Sequence, residues 1–249
     1  MPEKTHHFIY TTYQEWDIIL DIILQDRRIE ALFFDLDGTL LHTELVSVPA
    51  TIETLKELNR RYSLEIRIPE PDEVKSCFGM TVEEYLRHFL GPHYNGYARE
   101  FDIIVQTIEV EYIDAGMSRL YPGTLDTLEN LRRMGIPMAI ATNAPLYYCE
   151  KVISAFHLDR YIAYYEAITP YPGKQKDHLI QLLKNKISVN KILMVGDRAK
   201  DRDAAKATGD LYGAATWGYG NEKEWEGADF RFNHISEVEK VIKELREFK

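Results

Sequence analysis

Two aspartates, Asp35 and Asp37, stand two positions apart at the end of the apolar run Ala31-Leu32-Phe33-Phe34. In an extended segment residues i and i+2 point to the same side, so both carboxylates enter one small volume. Gly38 then lets the chain turn sharply away. Two like charges held that close need a cation or a shared proton. The arrangement suits a Mg²⁺ site in which one carboxylate attacks and the other handles a proton. Asp-x-Asp-Gly is also a common turn, and carboxylates at strand ends often only cap helices. Three further stretches tip the balance toward chemistry. An EF-hand loop is excluded, because no chelating residues or terminal Glu follow at the required spacing.

The next stretch is Thr142-Asn143, directly after the apolar Met138-Ala139-Ile140-Ala141. Its hydroxyl and amide can hydrogen-bond phosphate oxygens, helped by backbone N–H groups where a following helix starts. Taken alone, the pair reads as an ordinary helix cap. The third stretch, Pro172-Gly173-Lys174-Gln175-Lys176-Asp177, precedes a helix carrying Leu179, Ile180, Leu182 and Leu183. A lysine here could neutralise a phosphoryl group and the crowded carboxylates. Lys176 sits four before Ile180 and seven before Leu183, which favours it as the inward-facing residue; Lys174 stays open as the alternative. The fourth stretch is an apolar strand ending in Gly196-Asp197, with Asp201 four residues on. In a helical turn i and i+4 share a face, so Asp197 and Asp201 can point at one ion. Asp35, the Asp37 backbone carbonyl and Asp197, with waters and a phosphate oxygen, would fill the octahedral oxygen shell that Mg²⁺ prefers.

In order and spacing, these four stretches resemble the four motifs of the haloacid dehalogenase-like hydrolase superfamily over about residues 31–220. Gly196-Asp197-x-x-x-Asp201 followed by Ala204-Ala205-Lys206-Ala207-Thr208-Gly209 is similar to the fourth motif. The segment between the first two motifs looks like the helical cap of the phosphoglycolate phosphatase and β-phosphoglucomutase branch. The resemblance implies a Mg²⁺-dependent phosphatase acting on a small phosphorylated metabolite, such as a phosphoglycolate-, sugar phosphate- or nucleotide-like ester. Asp35 would form an aspartyl-phosphate, and Asp37 would act as acid and then base. Asp197 and Asp201 would hold the metal, while Thr142, Asn143 and Lys176 or Lys174 would hold phosphoryl oxygens. The cap would close as a lid on hinges near Leu45–Pro49 and Ser118–Gly123. A phosphomutase shares every core residue and is the alternative enzyme; a non-catalytic binding protein on the same fold is the alternative of another kind. Two departures stand out: the third motif runs Lys-Gln-Lys-Asp, and Arg202 stands where the branch carries an apolar residue. Arg202 is expected to face solvent or to pair with Asp203 or Glu150.

The elements that must position these residues follow from periodicity. From Tyr121-Pro122-Gly123 onward strands alternate with helices, which implies a parallel sheet covered on both faces. The fold class is therefore α/β, a Rossmann-like doubly wound parallel sheet with an inserted α-helical cap. Strands are expected at Pro137–Ala141, Glu166–Ile168, Lys191–Val195 and Leu211–Ala215, and a closing amphipathic helix at Glu237–Phe248. Residues 31–46 and 119–249 form the core, 47–118 the helical cap, and 1–30 an extension. Within that extension Trp16–Leu24 has an apolar helical face, read as packing on the core, with a dimer contact as the alternative. A monomer or a homodimer is expected.

The net charge of -10 argues against general nucleic-acid binding or adhesion to anionic membranes. It leaves phosphate substrates open, because a local lysine and a metal outweigh a diffuse field. Cys77 and Cys149 lie in unlike contexts, which predicts reduced thiols and no zinc site. No stretch reaches the roughly 18–20 apolar residues of a membrane span, and the N-terminus carries no secretory pattern, so a cytoplasmic protein is expected. For specificity, Phe78, Gly79, Met80, Tyr85 and Arg87 are the cap candidates; Arg87 could grip a substrate carboxylate or second phosphate in bidentate fashion, but a surface arginine is its ordinary reading. Lys75, His42, His88 and His93 read as surface or packing residues.

Overall fold

The computed structural model describes residues 29–169, 171 and 173–247. The amphipathic segment Trp16–Leu24 lies outside them. Six strands form one parallel sheet in the order β3-β2-β1-β4-β5-β6. They are β1 (Ala31–Phe34), β2 (Met138–Thr142), β3 (Tyr164–Ala167), β4 (Ile192–Gly196), β5 (Leu211–Ala215) and β6 (Phe230–Phe232). The first strand sits at the centre, where the order reverses between β2 and β4. In such sheets ligands bind beyond the carboxyl ends at this switch point.

The alternation of side chains along β1 explains the two layers. Leu32 and Phe34 pack on one face with Leu128, Leu131, Val152 and Val238, from helices α5 (Thr124–Arg133), α6 (Leu146–Ala155) and α9 (Ser236–Glu247). Ala31 and Phe33 pack on the other with Leu179, Leu183 and Ala205, from α7 (Lys176–Ile187) and α8 (Ala199–Ala207). Both phenylalanines are fully buried, and each contributes about 1.5–3 kcal/mol relative to exposure. A strand apolar on both faces is what a helix-covered parallel sheet requires.

Helices α1 (Glu44–Tyr62), α2 (Pro71–Ser76), α3 (Val82–Leu90) and α4 (Tyr94–Asp114) lie between β1 and α5. They enclose a separate apolar core built on Val48, Leu55, Leu58, Phe89, Leu90 and Phe101. Thr81 caps α3, accepting from the Glu84 N–H while the Glu84 carboxylate accepts from the Thr81 N–H. The two chain crossings between these helices and the sheet run side by side. His42 N–H donates to Arg119 O, and Tyr121 N–H donates to Leu40 O, each at 2.9 Å.

Three features differ from the sequence pattern. The hinge expected near Leu45–Pro49 falls inside a helix, because α1 begins at Glu44 and carries Pro49 within it. Proline there removes one backbone hydrogen bond, so the crossing is a locally weakened helix. The strand expected at Glu166–Ile168 forms at Tyr164–Ala167. A sixth strand, β6, appears at Phe230-Arg231-Phe232, which is too short for its alternation to stand out in sequence. Among the described residues, no helix is long and apolar enough to cross a membrane.

Candidate active site

Asp35 follows the last residue of β1, and its N–H donates to Val195 O at 2.9 Å, which fixes it between β1 and β4. The chain then reverses through Gly38, whose φ of +75° is a left-handed conformation that glycine adopts without strain. A Cβ at Gly38 would also lie 2.6 Å from Asp197 Oδ2. The turn thus brings the ends of β1 and β4 together, and ligand oxygens of Asp35, Asp197 and Asp201 lie within 4.8 Å of one another.

Lysine competition at the third stretch is resolved by burial. Lys176 opens α7, is 3% exposed, and places its ammonium 2.9 Å from Asp35 Oδ1 and 2.5 Å from Asp201 Oδ1. Lys174 corrects the alternative assignment, because it stays exposed on the loop before the helix. The 3.6-residue period accounts for the difference: Lys176 shares the face of Ile180 and Leu183, which are buried, whereas Lys174 precedes the helix.

Each acidic group has its own holder. Asp197 accepts from Tyr219 N–H at 2.7 Å and from Thr39 Oγ1 at 3.3 Å. Asp201 accepts from Arg198 N–H at 3.0 Å. Asp37 turns instead toward Thr43, whose hydroxyl donates to it at 2.5 Å. Thr142 Oγ1 accepts from Ala144 N–H at 3.0 Å, which leaves its own proton free to donate. Asn143 spends one amide proton on Gly79 O at 3.0 Å, while its Oδ1 is buried without a partner.

Four buried or half-buried carboxylates face one buried ammonium, and their protonation reflects the imbalance. Burial pushes Asp37 up to about 6, against the hydrogen bond from Thr43 and with a further push from Glu109. Asp201 is likewise raised by burial to about 6, with Lys176 opposing. Asp197 goes well above its ordinary value through burial and its neighbours Asp201 and Asp35. Burial also raises Asp35, again against Lys176. Lys176 itself is disfavoured by burial, yet Asp201 and Asp35 hold it above the ordinary lysine range.

Several participants carry no motif signal. Thr43, just before α1, and Glu109, on α4, reach the site, and Glu109 accepts from Ser47 Oγ at 2.7 Å and Tyr147 OH at 2.5 Å. Trp217-Gly218-Tyr219-Gly220 wraps Asp197: a Cβ at Gly220 would lie 1.9 Å from Asp197 O, so only glycine permits that approach. The paired glycines were the available clue. Trp225 Nε1 donates to the same carbonyl at 2.8 Å. Arg198 donates to Phe78 O at 2.6 Å and ties the cap to the fourth motif.

Phe78, Gly79, Met80 and Tyr85 line a pocket that Asp35, Asp37, Thr142 and Asn143 also line. Arg87 does not join them. It pairs with Glu83 at 2.8 Å and lies over the Tyr94 ring, because its helix turns that face outward. Lys75 pairs with Asp72 on the surface, His42 stacks on Tyr121, and His88 pairs with Glu73. Arg202 pairs with Asp203 at 2.8 Å and also donates to Glu224 O; its partner is not Glu150.

Known proteins are similar to this chain in sequence and in fold. The chain is 27% identical over 196 residues to a phosphoglycolate phosphatase of Pseudomonas savastanoi pv. phaseolicola, covering 76% of this chain and 70% of that protein. It is 28% identical over 195 residues to phosphoglycolate phosphatase 1 of Pseudomonas aeruginosa, with the same coverage. Among solved structures, CbbY from Rhodobacter sphaeroides in complex with phosphate superposes with a TM-score of 0.73 at 22% identity, over 85% of this chain and 96% of that one. A haloacid dehalogenase-like family protein from Streptococcus pneumoniae gives 0.72 at 21%, over 86% and 98%. The family model for haloacid dehalogenase-like hydrolases matches residues 29–209, a span that runs from the strand before Asp35 through the helix after Asp197. With that match across more than half its length, this chain belongs to the haloacid dehalogenase-like hydrolase family.

Proposed function

We propose that the protein is a Mg²⁺-dependent phosphatase that hydrolyses a small phosphomonoester through an aspartyl-phosphate on Asp35. The observation that carries this reading is the buried Asp35 carboxylate, 2.9 Å from Lys176 Nζ and grouped with Asp197 and Asp201 at the switch point of the sheet. The family match and the named phosphatases among its relatives support it.

A divalent cation fits the donor set. The three clustered side chains are all oxygen donors, and one ammonium leaves them with excess negative charge in a buried site. Asp35, Asp197 and Asp201, with the Asp37 carbonyl, would hold Mg²⁺, which would neutralise a phosphoryl group and its crowded carboxylates.

The side chains divide the remaining work. An Asp35 oxygen attacks phosphorus, and the ester oxygen departs with the proton of Asp37. Thr142 donates its free O–H to a phosphoryl oxygen, and Lys176 supplies fixed positive charge beside Asp35. Asp37, now ionised, takes a proton from water as that water attacks the aspartyl-phosphate, which releases phosphate and restores both carboxyl groups. Raising by burial suits Asp37 to this alternation, since a carboxyl near 6 both gives and takes a proton near neutrality.

The test is hydrolysis of p-nitrophenyl phosphate with Mg²⁺ and with EDTA. Turnover is expected only with the metal, and Asp35→Asn is expected to abolish it while the far-UV circular dichroism spectrum stays unchanged. Undiminished turnover by Asp35→Asn removes Asp35 as nucleophile and overturns the proposal.

A further inference from the structure

The pocket beside Asp35 and Asp37 is lined by two unlike sets of residues. One is apolar and includes Met80, Leu86, Phe101 and Val105. The other carries the hydroxyls of Ser47, Thr51 and Tyr85 together with the Glu109 carboxylate. Among the described residues, its lining contains no Lys, Arg or His. Lys176, the cation behind Asp35, is already held by Asp35 and Asp201.

Cations are present nearby, but on the wrong side of the cap loop. Arg87, Arg198 and Lys200 line a separate surface cleft behind Phe78, Gly79 and Met80. Each is paired there with a carboxylate: Arg87 with Glu83, Arg198 with Glu224, and Lys200 with Glu84.

We infer that the alcohol half of the substrate is uncharged and bears hydroxyl groups, so that the phosphate is its only anionic group: a monophosphate of a neutral polyol or sugar. This deepens the phosphatase reading and rests on it. A carboxylate or second phosphate in the pocket would lose hydration and face Glu109 and Asp102 with no partner cation. A hydroxyl meets the opposite reception. Asn143 Oδ1 is a buried acceptor without a donor, on a side chain whose amide orientation is fixed by its bond to Gly79 O. An O–H group satisfies it, whereas an anionic oxygen cannot. Tyr148 OH, 2% exposed and also without a partner, lines the same pocket. The apolar wall covers the C–H faces of such a molecule. Phosphoglycolate, the substrate in the names of several relatives, carries a carboxylate and fits this pocket poorly.

Matched pairs of phosphate esters test the inference with the Mg²⁺-loaded full chain. Glycerol 3-phosphate is compared with 3-phosphoglycerate, 2-hydroxyethyl phosphate with 2-phosphoglycolate, and glucose 6-phosphate with 6-phosphogluconate. An unpaired buried anion predicts that the neutral member of each pair has a kcat/KM at least about tenfold higher. Equality or reversal in any pair overturns the inference. Removing the carboxylate charge with Glu109→Gln is expected to narrow the gap at pH 8 by about threefold or more, as one charge is deleted from the wall; an unchanged gap removes Glu109 as the discriminating residue. p-Nitrophenyl phosphate separates the two levels. If it is hydrolysed while the pairs reverse, only the inference falls. If no phosphate ester is turned over, the phosphatase reading falls with it.

Discussion

The floor of the site and its roof are built on opposite terms. At the floor, Asp35, Lys176, Asp197 and Asp201 sit on strand ends or the first turn of a helix, almost fully buried and each bonded to a named partner. At the roof, the cap helices present an apolar wall, hydroxyls and one carboxylate, with polar atoms of Asn143 and Tyr148 left unpartnered between the layers. A floor fixed by backbone register suits chemistry that tolerates little displacement. Unspent hydrogen-bonding capacity at Asn143 and Tyr148, where core meets cap, suits recognition, since an incoming molecule completes it.

The contrast can be broken at its strongest point first. Asp35→Asn should abolish phosphate release in a steady-state assay, while cap substitutions should retain it. Lys176→Met should follow, leaving the floor carboxylates without their cation. Removing one partner of a buried ion pair costs about 3–5 kcal/mol, read by urea unfolding in EDTA. Added Mg²⁺ should recover part of that loss; no recovery would argue against a cation site among these residues. Asp37→Asn should retain the fold and lower kcat by about 10²–10⁴-fold, the usual range for a lost general acid.

Glu109→Gln sharpens the comparison on the roof. Burial raises the Glu109 carboxyl from 4.5 to about 7, against hydrogen bonds from Tyr147 and Ser47, with Asp102 adding to the rise. The folded state therefore binds this proton more tightly than the unfolded chain does. Its stabilising contribution is whole below pH 4.5 and is lost as pH climbs through about 7. The glutamine variant lacks that loss, so its stability relative to the native chain should improve by about 3 kcal/mol between pH 4.5 and 8. A flat difference in urea midpoints across this range would contradict the assignment. Smallest of all, Lys200→Ala removes a partly exposed cap-to-core pair with Glu84 and should cost about 0–1 kcal/mol.

How much of this was legible in the sequence depends on the range of the signal. Asp35 and Asp37 announced themselves because an apolar strand ended in them, and Gly196-Asp197 did so for the same reason. The period that placed Lys176 above Ile180 and Leu183 also favoured it over Lys174, and only the tertiary structure shows it buried beside Asp35. For Arg87 the ordinary surface reading holds, because Glu83 one turn back and the Tyr94 ring claim it; bidentate capability says nothing about which way a helix face turns. Glu109 gave no sign, since it meets Tyr147 only where the cap packs on the core; Thr43 meets Asp37 six residues back without any motif, and the Tyr219 loop showed only its paired glycines.

Sequence alone determined the α/β alternation, the acidic strand ends and the family, because side-chain period and turn residues act within a few positions. Tertiary structure decided which lysine reaches Asp35, what holds Asp37, and that cations are kept off the pocket wall. Those outcomes depend on groups 6 to 158 residues apart meeting in space, as Thr43 meets Asp37 and Thr39 meets Asp197. No local pattern encodes such meetings; they follow from how the helices pack on the sheet and on one another.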